Sequence, residues 1–136
     1  MNPRDPPCQW EVFKDTKPTF SIALDGYVSG PPRFSPSGPY ATFNHHEGTS
    51  RLETRATCAQ VLMAIRQGLF RCFRKDGQPH AIVYVNDCDE DVCLSWFQLK
   101  HHALCGQVMN PLLNRLVHVE DMMDTTAGAY PYSGDL

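Results

Sequence analysis

The stretch YATFNHHEGTSRLETRATCAQ (40–60) joins a short apolar run to a polar turn and then to an amphipathic segment. YATF (40–43) has the composition of a β-strand. From Cys58 onward, apolar residues recur at helical spacing, which predicts a helix with one face against a core. Ser50 and Glu53 fit a capping box, so this helix is predicted to begin near Ser50. A strand followed by a helix indicates an α/β fold.

On either side of this stretch, strand-like and helix-like segments alternate. FSIALDG (20–26) and HAIVYVND (80–87) are short apolar runs, and the second reads as a strand covered on both faces. Helices are predicted over about 90–104 and after Asn110-Pro111, because apolar residues recur at helical spacing and proline suits a first helical turn. The predicted inward stripes are Val92, Trp96, Leu99 and Ala103 in the first helix, and Leu112, Leu116, Val119 and Met123 in the second.

This order of elements predicts an α/β fold with a small, mostly parallel sheet and helices packed on it. Residues 1–18 contain four prolines and little pattern, and they are predicted to form an irregular arm. Residues 19–136 are predicted to form a single α/β domain. Three or four strands make a small sheet, so the segment is also compatible with an incomplete piece of a larger α/β domain.

Composition and charge exclude several classes of protein. Of the 136 residues, 42% are hydrophobic and 20% charged, which is ordinary for a globular domain. The net charge of −3 gives no signal for duplex nucleic acid or for an anionic membrane. The apolar runs are far shorter than the ~20 residues of a membrane span, and MNPRDPPCQW (1–10) is too polar for a secretory signal. A cytoplasmic protein with reduced cysteines is therefore expected.

Polar residues that suit a metal ion follow each predicted strand. Asp25 comes after the first strand, His45 and His46 after the second, and an acidic cluster that begins at Asp87 after the third. Because ligands bind at the carboxyl ends of strands in open α/β sheets, these side chains are expected to converge at one edge. Carboxylates with imidazole suit Mn²⁺, Mg²⁺ or Zn²⁺. The ligands predicted from this pattern are Asp25, His45, Asp87, Asp89 and Asp91.

The same residues also have purely structural interpretations. Asp25-Gly26 is a turn signal, and Asp89 is placed to cap the helix that follows it. If the chain is still extended at His45 and His46, the two side chains point to opposite faces. At most one of them would then bind a metal directly, and the other would support it or contact a phosphate.

Two arginines fall where the first helix is predicted to begin. A cation in the first turns of a helix is unfavourable by about 0.3–1 kcal/mol. A bound phosphate would reverse this sign, because helix amides and guanidinium groups both bind anions. Arg51 and Arg55 are therefore predicted phosphate ligands, and the alternative is that Glu53 and water screen their charge.

Three segments carry a family resemblance. FNHHEG (43–48) with ETRATCAQVLMAI (53–65) resembles the Asp-His-His signature of the DHH phosphoesterases, in which a strand precedes the motif and a helix follows it. NDCDEDVCLSWFQL (86–99) is similar to the Asp-x-Asp element of that superfamily, and MDTTAGAYPYSG (123–134) to its Asp-Thr segment. Enzymes of this kind are two-metal, usually manganese-dependent, hydrolases of phosphodiesters or phosphoanhydrides.

The resemblance implies roles for individual residues. His45 and His46 match the histidine pair and are the expected catalytic residues. The acids that match the family's metal ligands are Asp87, Asp89 or Asp91, and late in the chain Asp124. Asn44 stands where the family has aspartate, and the Asp-x-Asp element follows the histidines instead of preceding them. The second domain that usually binds substrate has no counterpart in these residues.

Two functions of different classes are thus expected from the sequence. The first is a metal-dependent phosphoesterase-like hydrolase of a phosphodiester or phosphoanhydride, with Mn²⁺ as the expected ion and Mg²⁺ or Zn²⁺ as alternatives. Its partner would be a phosphate-containing small molecule or a short oligonucleotide. The second is a non-catalytic α/β module that binds phosphate or another protein and has lost a metal ligand at Asn44.

Overall fold

Six helices and six short strands make up the part of the chain that the computed structural model describes, residues 6–46, 48–51 and 53–126. The strands are β1 (Ser21–Leu24), β2 (Arg33–Ser35), β3 (Tyr40–Phe43), β4 (Arg74–Lys75), β5 (Gln78–Pro79) and β6 (Ile82–Tyr84). The helices are α1 (Trp10–Thr16), α2 (Thr57–Arg66), α3 (Leu69–Cys72), α4 (Glu90–Lys100), α5 (His102–Cys105) and α6 (Pro111–Thr126).

The main sheet has four strands in the order β2-β3-β1-β6. β1 pairs in parallel with both β3 and β6, and β2 pairs antiparallel with β3. The carboxyl ends of β1, β3 and β6 therefore open on one edge, which confirms the predicted α/β fold with a mostly parallel sheet. β4 and β5 form a separate hairpin, in which Asp76 and Gly77 both adopt positive φ angles. Asp76-Gly77 therefore makes the turn of this hairpin.

Helix α2 covers one face of the sheet and contributes five buried residues to the main core. Its buried residues Cys58, Val61, Leu62 and Ile65 pack in one cluster with strand residues such as Ile22. The predicted stripe is confirmed over these positions. The capping box at Ser50 is not formed, because α2 begins only at Thr57. The chain turns at Gly68, whose φ of 96° is left-handed, and Cys72 beyond this turn is exposed.

The opposite face of the sheet is covered by α1. The prediction of an irregular arm over 1–18 is wrong here, because residues 10–16 form a helix. Trp10 and Phe13 are buried from this helix and pack with Ala23 and Val28. Positions three apart lie on one side of a helix, so a single turn brings both rings to the sheet. The prolines flank this helix and do not interrupt it.

β6 is an edge strand, and its two faces are only partly covered, in contrast to the prediction that the run 80–87 is covered on both faces. All three of its residues are only half-buried. One face still contributes to the fold, because Val83 packs against the main core and Tyr84 against the α1 side. The apolar run 80–87 therefore corresponds to an edge strand with two partly covered faces.

The later helices differ from the prediction in their bounds and in the faces that they bury. The segment 90–104 is divided between α4 and α5, and Trp96 of its predicted inward stripe is 49% exposed. α6 packs through Leu113 and Val117, one position away from the predicted stripe. Two apolar stripes run along α6, and periodicity alone does not decide which of them is buried. Over the described ranges, no helix combines the length and apolar character that crossing a bilayer requires.

Candidate metal centre

Three strand ends bring Asp25, His46 and Asp89 together. Asp25 directly follows β1, His46 lies three residues after β3, and Asp89 ends the loop that follows β6. One ligand atom from each of the three lies within 4.8 Å of the other two. The expected convergence at one edge of the sheet therefore holds for these three side chains. In the described part of the chain, no other group of three such side chains has this geometry.

Asp25 is the most buried ligand candidate of the group. Its side chain is 4% exposed, and Thr57 Oγ1 donates a hydrogen bond of 3.1 Å to its Oδ1. The φ of 44° at Asp25 is left-handed, a conformation that aspartate tolerates better than most residues. Burial, followed by the negative charges of Asp89 and Asp91, raises the pKa of Asp25 to about 7. The site therefore disfavours negative charge until a cation compensates it.

His46 turns its Nε2 atom toward Asp25. The distance from Nε2 to Asp25 Oδ1 is 3.2 Å, yet Nε2 is buried and has no hydrogen bond of good geometry. On the other side of the ring, a guanidinium nitrogen of Arg51 contacts Nδ1. A buried ring nitrogen without a hydrogen bond is costly, and a metal ion is one partner that can satisfy it.

Asn44 organises the loop that carries the histidines. Its buried side chain donates from Nδ2 to the carbonyl oxygen of Gly30 at 2.9 Å and accepts from the backbone N–H of His46 at 2.9 Å. The amide nitrogen thus has a structural partner that a carboxylate could not serve. The asparagine holds His46 in place.

His45 and Asp124 form a second, separate pair. His45 is fully buried, and its Nε2 lies 3.4 Å from Asp124 Oδ2. Burial lowers the pKa of His45 and, with the charge of Asp91, raises the pKa of Asp124, so both shifts oppose a fully ionised pair. Neither ring nitrogen of His45 has a hydrogen bond. His45 and Asp124 were each predicted as site residues, and they lie next to each other. Both lie outside the group formed by Asp25, His46 and Asp89.

Asp91 has a structural task that the sequence did not indicate. Its side chain is buried, its Oδ2 accepts from the backbone N–H of Thr57 at 2.8 Å, and its Oδ1 accepts from that of Cys58 at 2.7 Å. Asp91 is therefore a cap of α2 supplied by α4. Both oxygens already bind backbone amides and Asp91 lies outside the three-residue group, in contrast to the prediction that it is a metal ligand.

Asp121 of α6 completes this cap and binds Arg55. Its Oδ1 accepts from the backbone N–H of Ala56 at 2.7 Å, and its Oδ2 accepts from Nε and Nη2 of Arg55 at 3.0 and 2.9 Å. The amides at the beginning of α2 are thus taken by carboxylates and are not available to a phosphate, whereas the phosphate-binding role of Arg51 and Arg55 stays a prediction. The two arginines precede the helix that begins at Thr57, and Arg55 is paired within the protein.

The remaining predicted acids differ in their roles. Asp87 is exposed and accepts from the backbone N–H of Cys88 at 2.8 Å, and it lies outside the three-residue group. Asp89 belongs to the group and also caps α4, since its Oδ1 accepts from the N–H of Val92 at 2.8 Å. Both interpretations of Asp89 from the sequence are therefore compatible.

Sequence reasoning missed Thr57 and Asp121. Thr57 touches Asp25 directly, but nothing in the sequence distinguishes its hydroxyl from others at a helix start. Asp121 and Asp124 are three residues apart, a spacing that places them on one side of α6 and could have indicated a shared inward role.

Comparison with protein-family models, curated proteins and solved structures finds no match. The relationship to the DHH phosphoesterases therefore stays a prediction from the motifs. What bears on function is the set of contacts made by Asp25, His46 and Asp89, together with the charges that surround them.

Proposed function

We propose that the chain is a metal-dependent phosphoesterase-like hydrolase, with Asp25, His46 and Asp89 as ligands of a divalent cation. The observation that carries the proposal is the approach of their ligand atoms to within 4.8 Å of one another. Ligands on opposite sides of a divalent ion are about 4–5 Å apart, so only small side-chain adjustments are needed. The three residues come from three parallel strand ends, where α/β folds bind their ligands.

The chemistry of the group fits a divalent cation. Two carboxylates and one imidazole suit Mn²⁺, which we expect, and also Mg²⁺ or Zn²⁺. Burial and acidic neighbours raise the pKa of Asp25 and so favour its uncharged form. His46 Nε2 is buried without a hydrogen bond. A bound cation would favour the ionised carboxylate, and Nε2 would bind it in the tautomer that carries its proton on Nδ1, once the Arg51 guanidinium turns away from that nitrogen.

The surrounding residues support a phosphate-containing substrate. When bound, a divalent cation in such a site activates water and offsets the charge of a phosphoryl group. Arg51 lies beside the group and is exposed, so its guanidinium can reach an anion there. Arg55 is held by Asp121, which leaves Arg51 as the proposed phosphate ligand. Thr57 orients Asp25 through its hydroxyl, and Asn44 orients His46 through its side-chain oxygen.

Thermal unfolding with and without metal is the first test of the proposal. We expect Mn²⁺ to raise the melting temperature, since a ligand present at 100 times its Kd adds about 2.7 kcal/mol to the free energy of unfolding. His46→Ala should abolish this gain. The metal-loaded protein is then assayed with bis(4-nitrophenyl) phosphate and with pyrophosphate. Metal binding without hydrolysis of either would reject the hydrolase and keep the metal site.

A non-catalytic module is the second candidate, and one observation favours it. Asn44 occupies the position of the family's metal-binding aspartate, and its amide is committed to Gly30 and to the backbone of His46. If neither Mn²⁺, Mg²⁺ nor Zn²⁺ changes the melting temperature, the metal site is rejected and this candidate replaces the hydrolase.

A further inference from the structure

Two exposed cysteines flank the beginning of α4. Cys88 precedes the N-cap residue Asp89, and Cys93 is the fourth residue of the helix. Counted from the cap, these are the positions N′ and N4, whose side chains pack against each other in a hydrophobic staple. The sulfur of Cys93 lies 3.9 Å from the carbonyl oxygen of Cys88, so the turn brings residue 93 back onto residue 88. Both side chains are thiols.

We propose that Cys88 and Cys93 are a site of reversible oxidation, at which a low-molecular-weight disulfide converts the two thiols into an intramolecular disulfide. One cysteine, as thiolate, attacks the small disulfide and displaces one small thiol. The other cysteine then attacks the protein sulfur of this mixed disulfide, forms the bond between residues 88 and 93 and releases the second small thiol. The two cysteine sulfurs lose two electrons to the small disulfide, and their two protons end on the released thiols.

The contact between the two residues leaves little distance for the sulfurs to close. A carbonyl oxygen lies within about 3 Å of the Cα atom of its own residue, so the sulfur of Cys93 lies within about 7 Å of the Cα atom of Cys88. A disulfide joins cysteines whose Cα atoms are about 4.4–6.8 Å apart. Rotation of the two exposed side chains, with a small adjustment of the loop before Asp89, therefore brings the sulfurs together.

The new bond closes a ring around Asp89. Inside this ring, the backbone N–H of Val92 donates to Asp89 Oδ1 at 2.8 Å, and the backbone N–H of Cys93 donates to the carbonyl oxygen of Asp89 at 3.0 Å. These bonds hold the turn in the folded chain, so the fold brings the two thiols together before they are oxidised. The inference goes beyond the proposed function, because Asp89 caps α4 whether or not it binds a cation.

Mass spectrometry of a single peptide tests the site. No lysine or arginine lies between Lys75 and Lys100, so trypsin leaves both cysteines on the peptide 76–100. After metal-free protein is treated with 2-hydroxyethyl disulfide, this peptide should lose two hydrogens, and dithiothreitol should restore them. Cys93→Ser should prevent the loss, whereas the matched control Cys72→Ser, at another exposed cysteine, should not. A parent peptide that keeps both hydrogens, or carries only adducts of the small thiol, would overturn the proposal.

A comparison of folded and unfolded chain tests whether the turn brings the thiols together. In a buffer with a fixed ratio of 2-hydroxyethyl disulfide to 2-mercaptoethanol, we expect the ratio of oxidised to reduced pair to be about tenfold or more higher in the folded protein than in concentrated urea. By linkage, the oxidised protein should then unfold at a higher urea concentration than the reduced protein. Equal ratios with and without urea would show that the fold does not favour the bond, and would overturn the proposal.

One consequence of the ring rests on the proposed function. Because Asp89 lies inside the ring, oxidation should hold its carboxylate near Asp25 and His46, and Mn²⁺ should bind the oxidised protein more tightly than the reduced protein. Isothermal titration of both forms gives the two dissociation constants. Equal or weaker binding after oxidation would overturn this consequence. If neither form binds Mn²⁺, the metal site is rejected, and the mass of the peptide 76–100 still decides the thiol site.

Discussion

Asp25 and His46 face each other across 3.2 Å, although 20 residues separate them in the chain. The backbone N–H of Asp25 donates to the carbonyl oxygen of Phe43, which locks the ends of β1 and β3 together. The pair is thus set by the parallel register of two strands. A carboxyl that resists ionisation lies against a ring nitrogen that has no hydrogen bond, and a cation is the ligand that suits both.

Asp89→Asn should separate the metal role of Asp89 from its capping role. Asparagine caps helices as well as aspartate does, so the N–H of Val92 keeps its acceptor. The free energy of unfolding of the apo protein should therefore differ from that of the parent by less than about 0.5 kcal/mol. A neutral amide is a poor ligand, so the stabilisation by Mn²⁺ should be lost. Chemical denaturation with and without Mn²⁺ measures both quantities. An unchanged response to Mn²⁺ would remove Asp89 from the site.

Asp25→Asn should change the pH dependence of stability. The pKa of Asp25 is raised from 3.8 to about 7, so between these values the folded protein keeps a proton that the unfolded chain has released. The free energy of unfolding therefore falls as the pH rises from about 4 to about 7, by at most about 4 kcal/mol from this group. Asparagine removes this dependence, accepts the Thr57 hydrogen bond equally and tolerates the left-handed backbone.

Urea denaturation of parent and Asp25→Asn without metal, at pH 5 and pH 8, measures the difference. Asp124 and Glu120 titrate in both proteins, so the difference between the two curves reports Asp25 together with its charge coupling to Asp124. We expect the variant to gain stability relative to the parent at pH 8. Parallel curves would show that the ionised carboxylate is not disfavoured at this site, contrary to the environment described above.

Asp91→Ala should destabilise the protein through α2. The substitution leaves the backbone N–H groups of Thr57 and Cys58 buried without acceptors, at an expected cost of about 2–4 kcal/mol. Asp91→Asn keeps one acceptor oxygen and should cost less. Because the carboxylate is a cap, the asparagine variant should still be stabilised by Mn²⁺. Loss of that response in a folded Asp91→Asn protein would return Asp91 to the metal ligands.

Ile65→Ala should cost about 2–5 kcal/mol, because it opens a cavity in the core below α2. Met63→Ala on the same helix is the matched control. Met63 is 46% exposed, so its truncation should cost less than about 1 kcal/mol. Urea midpoints of the two variants give the comparison. Equal losses would mean that α2 is rotated relative to the face described here.

Asn44→Asp should weaken the fold and not restore a ligand. The carboxylate cannot donate to the carbonyl oxygen of Gly30, and it brings a further negative charge close to an acidic group. We expect a loss of about 1–3 kcal/mol in the apo protein. Isothermal titration with Mn²⁺ measures the other consequence. Tighter binding in the aspartate variant would show that position 44 can turn toward the cation.

The edge of the sheet could be predicted because its signals are local. Each of the parallel strands is a short apolar run that ends at a polar residue, as at Asp25, and parallel strands open on one side. The order of strands and polar residues along the chain is therefore enough to predict that His46 lies near Asp89. A group of residues that strand order brings together can therefore be predicted from such a sequence.

Contacts between distant helices could not be predicted in the same way. The acceptors for the first amides of α2 lie in α4 and α6, whereas the local pattern at Ser50 and Glu53 suggested a cap that does not form. On α6, Asp121 is one of the buried residues, whereas the sequence predicted an inward stripe of apolar residues. The hydrogen bonds of Asp121 help to select the buried face of α6. The spacing of apolar residues along the helix does not indicate these bonds.

The reach of Asp121 back to Ala56 also sets an order of events during synthesis. The two residues are 65 positions apart, so at about 5–20 residues per second the acceptor is translated roughly 3–13 s after its donor. Until then the amide can bond only to water or to a substitute. Asp25, His46 and Asp89 all emerge earlier. The three proposed cation ligands are therefore translated before the acceptor of the Ala56 amide, and a ribosome stalled ahead of Asp121 would hold a chain in which this amide has no carboxylate partner.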